Sequence, residues 1–205
     1  MSSNEVQSLN GAAPASKTGV RLDFKNLSLT IPGKRKTPAK TILHSVSGYA
    51  MPGEVLYIMG PSGAGKTSLL DSISGRTKVA PTGDIMLAGC QKTDRSLKAL
   101  SKYCTQEMVL YEAMTVKETL RSAASLYTKS TAERKSRVDN ALTMLGLEGQ
   151  ADVKIGGVFF RGCSGGQKRR VTVGETIVAN PEVMFLDEPT SGLDSAAAYQ
   201  VSLSL

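Results

Sequence analysis

The sequence predicts an α/β domain, and three observations carry that reading. Two short apolar runs, "EVLYIM" at residues 54–59 and "EVMFLDE" at 182–188, have the continuous apolar character of buried parallel strands. The first runs straight into a glycine-rich loop and then a helical pattern, "KTSLLDSISGR", which Gly75 stops. Between the two runs lies a helical stretch opened by two capping boxes. Thr115 with Glu118 precedes "TLRSAASLY", and Ser130 with Glu133 precedes "RKSRVDNALTMLG".

The flanks fill in the rest. Residues 1–18 are rich in Ser, Ala, Asn and Gly and bury too little to offset their ordering entropy, so a disordered tail is expected there. "VRLDFKNLSLTI" alternates as a strand pair or one long strand, and "GKRKTPAK" after it reads as a solvated basic loop. With 205 residues, 40% hydrophobic and 21% charged, the chain fits one main domain. Its net charge of +7 suits nucleic acid, an acidic membrane face or a phosphorylated ligand equally well. Cys90, Cys104 and Cys163 lack CxxC spacing, so neither a disulfide framework nor a zinc site is indicated. No leader pattern and no apolar run of membrane length is present, and the chain as given is expected to be neither secreted nor membrane-spanning.

The loop "GPSGAGKTS", which is Gly60, Pro61, Ser62, Gly63, Ala64, Gly65, Lys66, Thr67 and Ser68, fits G-x-x-x-x-G-K-[ST] between a strand and a helix. Glycines there let successive N–H groups converge on phosphate oxygens at a helix start. Lys66 is then expected to reach the β- and γ-phosphates, and Thr67 to place its hydroxyl on Mg²⁺. Asp187, at the end of the second apolar run, can hold the same Mg²⁺, while Glu188 can orient and deprotonate an attacking water.

A second cradle follows in "CSGGQKRR". Ser164 and Gln167 form an S-x-x-Q capping box, which by itself only starts a helix. Gly165 and Gly166 in that first turn cost roughly 1 kcal/mol each against alanine, a penalty explained if another group approaches the backbone. Since one nucleotide is already enclosed, Ser164, Gly165, Gly166 and Gln167 are expected to serve a nucleotide held by another copy, in a head-to-tail pair. Lys168, Arg169 and Arg170 read as a solvated helix face.

"GPSGAGKTS", "YCTQE", "CSGGQKRR" and "VMFLDEPTSGLDS" resemble, in order, the P-loop, Q-loop, signature and Walker B with D-loop of an ATP-binding cassette. "ILHSVSGYAMPGEVLYIMGPSGAGKTSLLDSISGR" and "IGGVFFRGCSGGQKRRVTVGETIVANPEVMFLDEPTSGLDS" resemble the G subfamily of ABC transporters, the white and breast-cancer-resistance type, over about residues 20–199. The resemblance implies a P-loop NTPase with a RecA-like core, an antiparallel β subdomain and a helical subdomain over about residues 107–180, the cassette spanning 19–205. It implies ATP and Mg²⁺ as cofactors and Gln106 as a catalytic residue that also senses the metal. It assigns Ser191, Gly192, Leu193 and Asp194 to the D-loop. It further implies a second half-transporter as partner, a membrane domain in the same full-length polypeptide, and ATP-driven export of a lipophilic substrate, with this domain on the cytoplasmic face of the membrane.

The sequence also departs from the family pattern. Cys163 stands where most cassettes have Leu or Val, Ile31 falls near the usual adenine-stacking aromatic, and the single histidine, His44, lies far upstream of where the family's switch histidine belongs. The resemblance is therefore to a cassette incomplete at its C-terminus, lacking the switch-histidine segment. Two other readings stay open: a cassette ATPase acting on nucleic acid, against which stands the absence of a long coiled coil or aromatic-studded basic face, and an inactive nucleotide-binding fragment.

Overall fold

The computed structural model of the chain describes residues 19–33, 38–157 and 161–203. The expected disordered tail, residues 1–18, and the middle of the basic loop, residues 34–37, lie outside the described residues. In chain order the elements are β1 (Leu22–Ile31), β2 (Lys40–Ala50), α1 (Lys66–Ser74), β3 (Thr82–Leu87), β4 (Cys90–Gln91), α2 (Asp94–Leu100), β5 (Ser101–Cys104), α3 (Val116–Ser125), α4 (Thr131–Met144), α5 (Gly165–Ile177), β6 (Val183–Leu186) and α6 (Ser195–Leu203). The α/β class is as expected, with an antiparallel sheet, a parallel strand pair and a helical part.

The antiparallel sheet has the order β2-β1-β3-β4, with "VRLDFKNLSLTI" forming one long central strand. Its register shifts on both sides near Asn26, which sits at φ 51 and donates its N–H to Ser47 Oγ at 2.8 Å, as a bulge requires. Leu22, Phe24, Leu27 and Leu29 of β1 pack with Leu43, Ile85 and Leu87 of the neighbouring strands and with Leu69 and Ile73 of α1. Gly75 ends α1 in the left-handed conformation, the stop expected for it.

The helical part is a second core. Val116, Leu120 and Ala124 of α3 face Val138, Ala141, Leu142 and Leu145 of α4 and its C-cap, spacings that put each set on one helical face. Val171 and Val173 of α5 complete the cluster, and burial of such side chains is worth about 1.5–3 kcal/mol each. The Thr115 box is complete, whereas in the second only Ser130 caps: the Glu133 carboxylate goes to Thr128 and Arg137 instead of back to the cap. Two arginines join α4 and α5 by satisfying each other's terminal carbonyls. Arg137 donates to Val178 O and Ala179 O at 3.1 and 3.2 Å, and Arg170 to Leu145 O at 2.9 Å.

β5 and β6 pair in parallel, Ser101 opposite Val183 through Cys104 opposite Leu186. The expected strand at residues 54–59 does not form. Val55, Leu56, Tyr57 and Met59 are exposed, Met59 at 88%, and no described strand lies alongside to supply a ladder. An apolar run becomes a strand only where a neighbour satisfies its backbone, and here β5 and β6 pair with each other. The other edge of β6 likewise has no partner among the described residues.

Between β5, α3 and α5 lies a cavity of about 400 Å³ lined by Lys102, Cys104, Tyr111, Tyr127, Thr172 and Glu175 among others. Burial there pushes the Glu175 carboxyl up to about 7. The folded state thus favours the protonated acid, and this contribution to stability is lost as pH rises from about 4.5 through 7. Glu175→Gln, which cannot ionise, is expected to unfold at the wild-type temperature near pH 4.5 and a few degrees above it at pH 8. A thermal-unfolding difference that stays the same at both pH values counts against this placement of the carboxyl.

Candidate functional site

The site forms where the two parallel strands end. Because Cys104 and Leu186 are the last rung, Gln106 and the Asp187–Glu188 pair emerge side by side, and Asp187 N–H still donates to Cys104 O at 3.0 Å. Crevices at the carboxyl ends of parallel strands are where such folds bind ligands. Residues 60–68 curl in front of α1, with Gly63 at φ 79 and Gly65 at φ 92, a backbone that only glycine adopts readily. Pro61, Ser62, Gly63 and Ala64 are exposed at the tip, and Ala64 N–H closes a turn on Pro61 O at 3.2 Å. Gly60 contributes its carbonyl, which with that of Pro61 accepts from Lys66 Nζ at 2.9 and 3.0 Å. The ammonium is therefore held within the loop, where a phosphate oxygen would have to compete with these carbonyls for it. Ser68 lies one turn into α1, its carbonyl accepting from Ser72 Oγ at 2.7 Å.

The Thr67 hydroxyl donates to Asp187 Oδ1 at 3.2 Å, and Gln106 Nε2 donates to Glu188 Oε2 at 3.0 Å. The residues chosen for metal and water thus meet in two pairs. Gln106 joins Glu188 rather than Thr67 and Asp187. Glu188 has φ 49, a left-handed conformation that a side chain disfavours and that tends to persist at functional sites. A Thr hydroxyl facing one carboxylate fits Mg²⁺ carried in with a nucleotide, since that ion takes one or two protein oxygens and fills the rest with phosphate and water. Among the described residues no cluster of three or more His, Cys, Asp or Glu offers an all-protein cage.

Tyr103 was not singled out by the sequence. Its hydroxyl lies 3.5 Å from Asp187 Oδ2, at the long limit of a hydrogen bond. Burial foremost, then Asp71 and the charge of Asp187, hold this phenol well above its ordinary pKa, so it remains a neutral donor. The Arg76 guanidinium stacks 4.3 Å from its ring centroid. The signal was its place one residue before the last apolar residue of β5, level with Phe185.

The second cradle forms as a complete capping box. Ser164 Oγ accepts from Gln167 N–H at 3.2 Å, and Gln167 Oε1 accepts from Ser164 N–H at 2.8 Å. A Cβ at Gly165 would point into open space, whereas one at Gly166 would lie 3.3 Å from Leu193 Cδ2. Packing within the chain accounts for Gly166 but not for Gly165. Around Leu193 the turn is closed by Ser191 N–H to Glu188 O at 3.1 Å, Gly192 sits at φ 74, and Asp194 Oδ1 accepts from Ala197 N–H at 2.8 Å, capping α6. No hydrogen bond joins residues 164–167 to residues 60–68 among the described residues. His44 is exposed on β2, and Cys163 packs at 8% exposure in the helical core.

The expected solvated face at Lys168, Arg169 and Arg170 is corrected by the structure. Lys168 Nζ donates to Gly156 O at 2.7 Å, and Arg170 caps α4. Arg169 is 2% exposed, and its guanidinium donates to the carbonyls of Thr105, Gln106, Asp187, Glu188 and Pro189. These carbonyls lie past the last strand rung, where the ladder no longer satisfies them, and a five-donor fork does so. The signal was present in spacing: Arg169 shares a helical face with Thr172, Val173 and Thr176, all buried.

The pattern of the family described as ABC transporter matches residues 43–191. The chain is 42% identical over 189 residues to ABC transporter G family member 22 of Arabidopsis thaliana, covering 90% of this chain and 25% of that protein. It is 44% identical over 188 residues to ABC transporter G family member 1 of Petunia hybrida, covering 89% and 29%, and 40% identical over 197 residues to ABC transporter G family member 22 of Dictyostelium discoideum, covering 92% and 32%. It thus spans between a quarter and a third of the length of these curated relatives, and among its described residues no helix is long and apolar enough to cross a membrane. By that match and those identities the chain belongs to the ABC transporter family, as an ATP-binding domain of the G-family type.

Proposed function

We propose that this domain, residues 19–205 with its helical subdomain at about 107–180, binds Mg·ATP and hydrolyses it when paired head to tail with a second such domain. The work done is export of a lipophilic substrate through a membrane domain in the same full-length polypeptide, with this domain at the cytoplasmic face. The observation that carries the reading is the meeting of Thr67 with Asp187 beside Gln106 with Glu188, at the mouth of the glycine loop. Residues 60–68 hold the phosphates through backbone N–H groups and the Lys66 ammonium. Thr67 and Asp187 hold Mg²⁺, which when bound neutralises charge on the phosphate oxygens. Glu188 takes the proton of the attacking water, and the Gln106 amide fixes the orientation of that carboxylate. Ser164, Gly165, Gly166 and Gln167 serve the nucleotide of the opposite domain, which the open space over Gly165 supports, and residues 191–194 line the junction. That the relatives are named as transporters supports the transport role.

Lys66→Ala is expected to weaken ATP binding at least tenfold by calorimetry, because a charge-assisted contact to phosphate is worth about 1.5–3 kcal/mol. Unchanged affinity overturns the assignment of the loop. Glu188→Gln keeps the shape and the Gln106 contact but loses the base, so steady-state turnover is expected to fall about 100-fold or more while ATP remains bound. Turnover at the wild-type rate removes the base from Glu188. Ser164→Arg fills the open helix start and is expected to abolish ATP-driven dimerisation in light scattering while sparing ATP binding; equal dimerisation in variant and wild type argues that the second cradle does not act between copies.

A further inference from the structure

We propose that Arg169 is a positioning residue for hydrolysis: its buried guanidinium fixes the Gln106 and Glu188 backbones relative to the helix that begins at Ser164. The proposal rests on the reading above, in which Gln106 and Glu188 act on the attacking water.

The geometry is specific. Nη1 donates to Thr105 O at 2.7 Å and Gln106 O at 3.0 Å. Nη2 donates to Asp187 O and Glu188 O, both at 2.6 Å, and Nε to Pro189 O at 3.2 Å. Every N–H of the fork is used, and no carboxylate forms an ion pair with it among the described residues. Carbonyl oxygens from two separate segments, 105–106 and 187–189, are thereby drawn onto one cation. Without it these dipoles face one another, and Glu188 O keeps only the Ser191 N–H at 3.1 Å.

The clamp acts where other restraints stop. Both segments lie just past the last rung of the β5–β6 ladder, where one bond, Asp187 N–H to Cys104 O at 3.0 Å, continues the pairing and none follows it among the described residues. Glu188 is held at φ 49 with its carbonyl on Arg169 and its carboxylate on Gln106 Nε2. A change in the direction of that carbonyl swings the carboxylate, and a small misplacement of a base is enough to slow proton transfer severely. Arg169 is also the sixth residue of the stretch that begins at Ser164, and α5 carries it rigidly. A shift of the helix start on engaging another domain's nucleotide is thus transmitted to this chain's own Gln106 and Glu188 through one side chain.

Lysine cannot replace this fork. It keeps the charge but offers three donors from a single point, too few for five carbonyls in two segments. The test compares wild type, Arg169→Lys and Arg169→Met in the complete polypeptide that carries this domain. For Arg169→Lys, kcat for ATP hydrolysis is expected to fall about tenfold or more, with KM for ATP and calorimetric ATP affinity within about twofold, since Arg169 hydrogen-bonds to segments 105–106 and 187–189 and to none of residues 60–68. Backbone amides at 105–107 and 187–190 are expected to exchange with deuterium faster in the nucleotide-free variant, while those of α1 do not. Arg169→Met is expected to be slower still. Should the methionine variant fail to fold, the lysine variant carries the test. Wild-type kcat in Arg169→Lys, or a loss of kcat matched by equal loss of ATP affinity and by faster exchange throughout the domain, overturns the proposal. Lys66→Ala separates the two readings. If that variant binds ATP normally the nucleotide site itself is wrong, whereas if it fails to bind while Arg169→Lys turns over normally, only the role of Arg169 falls.

Discussion

Four rungs between β5 and β6 set what lies beyond their ends. The register puts Cys104 opposite Leu186, so the next residues on each strand emerge at the same height and Gln106 can reach Glu188. A slip of one residue would carry Asp187 about 3.3 Å along the sheet and turn its side chain to the other face, away from Thr67. The pairing is short, and a ladder so short is weak alone. It is fixed by Phe185, which packs in the sheet core, and by Cys104, which packs in the helical core, so the two cores share the pair of strands.

That sharing explains why charged residues occur so deep in the helical part. α4 and α5 exchange arginines at their C-terminal ends, each guanidinium occupying carbonyls that the other helix leaves open. Arg169 repeats the device on loops rather than a helix end. In all three cases the guanidinium reaches backbone carbonyls, which accept a cation without themselves being charged; Arg137 adds to these the Glu133 carboxylate at 2.7 Å. The basic run after the Ser-Gly-Gly is thus a set of internal fastenings and says little about nucleic acid.

Local chemistry was legible in the sequence, and long-range satisfaction was not. The glycine loop, the Gly75 stop, the Thr115 and Ser164 boxes and the long first strand each depend on neighbours within a few residues, and each is found where the pattern placed it. The Ser130 box is half formed because Glu133 has a better offer from Arg137, one turn further on. The burial of Arg169 is hidden because "QKRR" in isolation is indistinguishable from a solvated run; only the buried residues three, four and seven places later mark its face. The apolar run at residues 54–59 misleads for the opposite reason. Its composition is that of a buried strand, but a strand is a relation between two segments, and the partner is not among the described ones.

That unpaired run bears on the life of the chain in a cell. A run of five consecutive apolar residues, four of them exposed and none in a strand, is the kind of surface that chaperones and proteases recognise. It stands immediately before the glycine loop, so whatever grips it also bears on the entrance to the phosphate cradle. A segment laid alongside Val55, Leu56, Tyr57 and Met59 would therefore cover the exposed apolar side chains and stiffen the approach to the phosphate cradle at once, since the two are adjoining stretches of the same backbone.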